Sequence, residues 1–87
     1  MSSYSVKLSA RAADWLEECL DARLRKRISQ TIDALAANPR PPGCVKLLGE
    51  DNVWRVRVSD YRIVYEIYDD QLMLLVIRVA NRREAYR

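Results

Sequence analysis

Apolar residues change period halfway along the chain, from helical spacing to alternation. Positions 4–8 (Tyr-Ser-Val-Lys-Leu) alternate and predict a short opening strand. Ser9 then stands where an N-cap belongs, ahead of a helix over 10–20 with Trp15, Leu16, Cys19 and Leu20 on one stripe. Leu24, Ile28, Ile32 and Leu35 keep helical spacing over 22–37, while Arg23, Arg25, Lys26 and Arg27 fall mostly outside the stripe. Asp21 either caps this second helix or marks a kink. The run Asn38-Pro39-Arg40-Pro41-Pro42-Gly43 stops it, because proline cannot continue a helix and biases its predecessor towards extended geometry.

The second half alternates. A short strand is predicted over 45–48, a turn over 49–52, and strands over 53–58 and 61–68 joined by a tight Ser59-Asp60 hairpin. Asp69-Asp70 is the next turn. The unbroken apolar run 72–79 suits a central strand covered on both faces, and a polar tail follows from Asn81. The order is β-α-α-β-β-β-β: an α+β domain with its first strand and two-helix hairpin packed on one face of a mainly antiparallel sheet.

Composition narrows the class. With 87 residues the chain is one domain over 1–87, burying about 60–65% of its unfolded surface. At 49% hydrophobic residues it is too apolar for disorder, yet no run nears the ~18 apolar residues of a membrane span. The first residues have no apolar signal region, so the expected location is the cytoplasm. Histidine is absent, which excludes Ser-His-Asp triads, imidazole acid–base chemistry and His-ligated metals. Cys19 and Cys44 lack metal-ligand spacing and read as small hydrophobes. No cofactor or metal is expected. The formal charge is +3, and of 15 basic residues all but Lys7, Lys26 and Lys46 are arginine. The planar guanidinium fork matches phosphate oxygens, so this composition permits a nucleic-acid partner.

The candidate chemistry lies in the Ser59-Asp60 hairpin. Side chains alternate across a strand, so Trp54, Val56 and Val58 join Tyr61, Ile63, Tyr65 and Ile67 on the helix side. Arg55, Arg57 and Arg62 gather on the other face, with Arg57 opposite Arg62. Like charges facing across a ladder destabilise a hairpin. Either these arginines splay into solvent or are neutralised by Glu66 and Asp60, or they form an anion site. Arg82 and Tyr86 of the tail would supply a further cation and an aromatic surface if the tail folds back over this face; RNA sites combine these features. The basic run 23–27 reads as a solvated helix face, Trp15 as core, and Glu17, Glu18 and Asp21 as a solvated acidic face rather than a metal site.

Lys46-Leu47-Leu48-Gly49, the segment 54–65 and the tail Asn81-Arg82-Arg83-Glu84-Ala85-Tyr86-Arg87, in this order and spacing, resemble the RelE/ParE toxin superfamily across essentially the whole chain. The resemblance implies a RelE-like fold and a toxin of a type II toxin–antitoxin module, held by a small cognate antitoxin encoded nearby. Its RelE branch implies a ribosome-dependent, metal-independent endoribonuclease that cleaves mRNA in the A site. Arg55, Arg57, Arg62, Arg82 and Tyr86 match the catalytic set of that branch, and Asn81 and Arg83 join them as RNA-binding candidates. There are two departures from the pattern: the strand cations at Arg55 and Arg57 are often lysine, and Asn81 is often histidine. The ParE branch implies the alternative, a toxin without RNase activity that inhibits DNA gyrase.

Overall fold

In the computed structural model, which describes residues 3–47, 49 and 51–81, the strand order is β1-β5-β4-β3-β2. The elements are β1 (Ser5–Leu8), α1 (Ala10–Glu18), α2 (Ala22–Ala37), β2 (Val45–Lys46), β3 (Val53–Val58), β4 (Tyr61–Tyr68) and β5 (Met73–Asn81). β1 runs parallel to β5 and every other pairing is antiparallel. Both helices cover one face. Their buried residues Ala12, Ile28, Ile32 and Leu35 meet Val56, Val58, Ile63, Tyr65, Ile67, Leu74, Val76 and Val79 in one core. No helix among the described residues is long and apolar enough to cross a membrane.

Side-chain caps set the helix limits. Ser9 Oγ accepts from the Ala12 amide at 3.1 Å and donates to the Ile77 carbonyl, so one hydroxyl both starts α1 and ties it to β5. Asp21 caps α2, accepting from the Arg23 and Leu24 amides at 3.1 Å each. That cap shortens α1. It requires extended backbone before α2, so α1 ends at Glu18 rather than position 20, and Leu20 leaves the apolar stripe to stand 98% exposed.

Three further boundaries differ from the alternation pattern. Regular pairing in β2 covers Val45–Lys46; position 48 lies outside the described residues. A 3₁₀ turn over Asp69–Gln71 places Leu72 in left-handed geometry (φ 49°), so β5 starts at Met73 and continues through Asn81. β5 is flanked by β1 and β4, but the helices cover only one of its faces. On the other face Ala80 is buried, while Met73, Leu75 and Arg78 are half-buried.

A β-bulge interrupts the β4–β5 ladder between Val64 and Tyr65, where Val64 pairs with Arg78 and Tyr65 with Val76. Ile77 is the extra residue. The core phase of β5 therefore runs Leu74, Val76, Val79, and Arg78 moves to the face away from the helices.

Candidate functional site

The arginine face is built by a two-residue turn. Ser59 takes φ 55°, which suits the right-handed twist of a tight hairpin, and Val58 pairs with Tyr61. The register then sets Arg57 directly opposite Arg62 and Arg55 opposite Val64. All three arginines lie away from the helices, as the alternation predicts. They line one cavity of about 300 Å³, closed on its far side by Gly43 and Val45. Arg57 is exposed and Arg55 half-buried, whereas Arg62 is only 4% exposed. Of the two acids that could neutralise the cluster, Glu66 accepts a hydrogen bond from the Tyr68 hydroxyl at 2.9 Å, and Asp60 is exposed in the turn.

The loop that supplies Gly43 is held from several directions. The buried Tyr65 hydroxyl donates to the Pro39 carbonyl at 2.7 Å. The Arg40 guanidinium donates to both carboxylate oxygens of Asp69, at 3.2 and 2.9 Å, and lies 5.0 Å from the Trp54 ring centroid. The Tyr4 hydroxyl also donates to Asp69. The Cys44 amide closes a turn on the Pro41 carbonyl at 3.1 Å, and Gly43 adopts φ 90°, which L side chains rarely tolerate. These contacts show in the electrostatics. Hydrogen bonds from Arg40 and then Tyr4 hold the Asp69 carboxyl below its ordinary range, and the Asp69 partner raises Arg40. Burial pushes the Tyr65 phenol well above the ordinary tyrosine value.

Not every sequence candidate joins the cluster. Asn81 pairs with Tyr61, so its register position is on the helix side of the sheet, although its neighbour Ala80 lies opposite Arg62. Arg82, Arg83 and Tyr86 lie outside the described residues. Trp15 packs against the core and makes an edge-on contact with Tyr61, with centroids 5.5 Å apart. Arg23, Arg25, Lys26 and Arg27 are exposed on α2. Arg78 is the residue that sequence reasoning missed. Its register position is across Val64 from Arg55, yet it lines a concavity with Arg11, Asp14 and Glu18 of α1 and not the arginine cavity. A signal existed: an arginine in the core phase of an apolar strand, followed at once by Val79, implies a phase slip.

Three arginines line one concavity, two of them in direct cross-strand register, and planar guanidinium forks are chemically suited to a phosphate or carboxylate.

The chain is similar to known toxins. A family model described as the ParE toxin of the type II toxin–antitoxin system parDE matches residues 6–86. A relative from Methanocaldococcus jannaschii bearing the name toxin RelE1 is 26% identical, over 97% of this chain and 96% of its own. The fold is shared with the archaeal RelE–RelB complex from Pyrococcus horikoshii (TM-score 0.80, 24% identity, 92% of this chain and 96% of that one). It is likewise shared with the intact Escherichia coli RelBE toxin–antitoxin complex (TM-score 0.78, 22% identity, 91% and 96%). The chain belongs to the RelE/ParE superfamily of type II toxin–antitoxin toxins.

Proposed function

We propose that this toxin is a ribosome-dependent endoribonuclease that cleaves mRNA in the A site and is neutralised by a cognate antitoxin. The observation that carries this reading is the convergence of Arg55, Arg57 and Arg62 on one cavity. The ribose 2′-oxygen attacks the adjacent phosphorus, the phosphorus–O5′ bond breaks, and the 2′-hydroxyl proton ends on O5′. Charge builds on the equatorial oxygens of the phosphorane. Fixed guanidinium forks stabilise such charge as an oxyanion hole does. Arg55, Arg57 and Arg62 take that role, and Arg82 serves the leaving oxygen. Arginine, with a pKa above ~12, is a poor proton shuttle near neutrality. Tyr86 is therefore assigned either to proton transfer or to base stacking, while Asn81 and Arg83 contact the RNA. Weak acid–base equipment suits an enzyme whose substrate is held in a reactive geometry by the ribosome. That the P. horikoshii and E. coli neighbours are toxin–antitoxin complexes supports the antitoxin as partner.

Primer extension on programmed ribosomes tests the reading. Wild-type protein should cut A-site mRNA. Arg57→Ala and Arg82→Ala should each slow cleavage by about 10²–10³, the cost of losing one oxyanion-hole donor, with circular dichroism unchanged. Tyr86→Phe separates the two roles of the phenol: activity survives if the ring only stacks and collapses if the hydroxyl moves a proton. A second reading, gyrase inhibition, is favoured by the ParE description of the matching family model. Growth arrest with relaxed plasmid DNA and continuing translation would select it and overturn the first.

A further inference from the structure

One side chain of the arginine cluster belongs to two concavities. Arg57 lines the arginine cavity and also a groove of about 360 Å³ between α2 and β3. That volume falls within the roughly 300–1,000 Å³ of small-ligand sites. The buried residues Leu35, Val56 and Val58 form an apolar floor. Pro41 and Pro42 form a wall whose φ is fixed by the proline rings, and the hydrogen bond from Tyr65 to the Pro39 carbonyl anchors the loop that carries them.

The polar side of the groove comes from α2. Arg27, Gln30 and Thr31 are spaced i, i+3 and i+4, so one face of the helix delivers all three. Gln30 is exposed, and its carboxamide offers both a donor and an acceptor. The Thr31 hydroxyl donates to the Arg27 carbonyl at 2.9 Å, which leaves its oxygen as an acceptor. Arg27 from the helix and Arg57 from the strand give the groove two cations, and no acidic residue among those described lines it.

We infer that this groove is a second RNA subsite, which takes a nucleotide flanking the phosphate held in the arginine cavity. Its base lies on the apolar floor, its phosphate meets Arg27 and Arg57, and Gln30 reads its edge. Splayed nucleotides of single-stranded RNA are recognised in this way, by a flat apolar contact, a cation at the phosphate and hydrogen bonds to the base edge. Glutamine makes two hydrogen bonds to the N6/N7 edge of adenine, so adenine is the favoured base. Because Arg57 lines both concavities, one strand can run from the cavity into the groove without leaving a cationic surface. The substrate class rests on the ribonuclease reading; the shape and charge of the groove do not.

The test titrates the full chain with short single-stranded RNAs that carry a 2′-O-methyl group on every ribose, which removes the attacking hydroxyl. Each position in turn holds adenine, uracil or an abasic site. Amide NMR should show Gln30, Thr31 and Ser59 responding to RNA. At one position an abasic site should weaken binding about tenfold or more, the scale of one base contact. Uracil there should bind about fivefold or more weaker than adenine, and Gln30→Ala should erase that difference. Arg27→Gln should reduce the slope of log affinity against log salt by about 0.7, the value for one single-strand phosphate. Equal binding of the adenine, uracil and abasic RNAs, or responses confined to Arg55 and Arg62, would overturn the proposal. If Gln30 and Thr31 respond instead to protein concentration or to an amphipathic peptide, the occupant is a protein surface and the proposal is again overturned. Ribosome cleavage by the same preparation keeps the two readings apart. A chain that cuts A-site mRNA but is indifferent to the abasic change loses only the groove, and one that binds RNA through the groove but is inert loses only the RNase reading.

Discussion

Arg57 and Arg62 oppose each other across β3 and β4, a pairing that local energetics disfavours. Arg57→Gln keeps a long polar side chain and removes one charge from an exposed position. It should raise stability by about 0.2–1 kcal/mol, measured by urea denaturation, while lowering the mRNA cleavage proposed above. Opposite signs in the two assays would mark a cation retained for ligand binding rather than for the fold. Tyr65 is the reverse case. Its ring is fully buried and its hydroxyl donates to the buried Pro39 carbonyl. Tyr65→Phe leaves that carbonyl unsatisfied and should cost about 1–3 kcal/mol by the same measurement. Because burial raises its pKa in the fold, the contribution of Tyr65 is intact below the ordinary phenol pKa and is lost as pH climbs towards the raised one.

Between elements, the Arg40–Asp69 pair joins the loop after α2 to the turn before β5, and that loop carries Gly43 to the arginine cavity. Asp69 has a lower pKa folded than unfolded, so its contribution is present above the ordinary carboxylate range and fades as pH falls through the lowered value. Asp69→Asn should flatten the acid limb of the melting-temperature profile. Both partners are well exposed, so the effect should be small and should shrink in high salt. Much of this scaffold was legible beforehand. Ser9, the span of α2, the Ser59-Asp60 hairpin and the shared face of Arg55, Arg57 and Arg62 all follow from capping chemistry and strand alternation. What escaped depends on partners distant in sequence. The bulge at Val64/Tyr65 is settled between two strands, so the displacement of Arg78 could not be assigned from the pattern of β5 alone. Leu20 was misplaced because Asp21 as a cap and Leu20 in α1 are incompatible, and the pattern left the role of Asp21 open. The register of β2, with Val45 opposite Arg55, is likewise settled between strands and not within the run 45–48.

At the scale of the molecule, the two faces of one sheet are divided in purpose. The face towards the helices holds the core, and the opposite face holds Arg55, Arg57 and Arg62. The sheet is also closed by chain segments far apart in sequence. Ser9 and Ile77, joined by a hydrogen bond, are 68 positions apart, and β5 lies between β1 and β4. During synthesis β1 is therefore made early and bonded late. The helices, with Ile28, Ile32 and Leu35 on their apolar side, leave the ribosome before most of the sheet that covers them. Such long-range closure slows folding and leaves apolar surface open meanwhile. The Ser59-Asp60 hairpin can form its local contacts sooner, but its arginines gain a rigid backing only when β5 docks. A newborn chain thus carries the arginines of this face before it can hold them still.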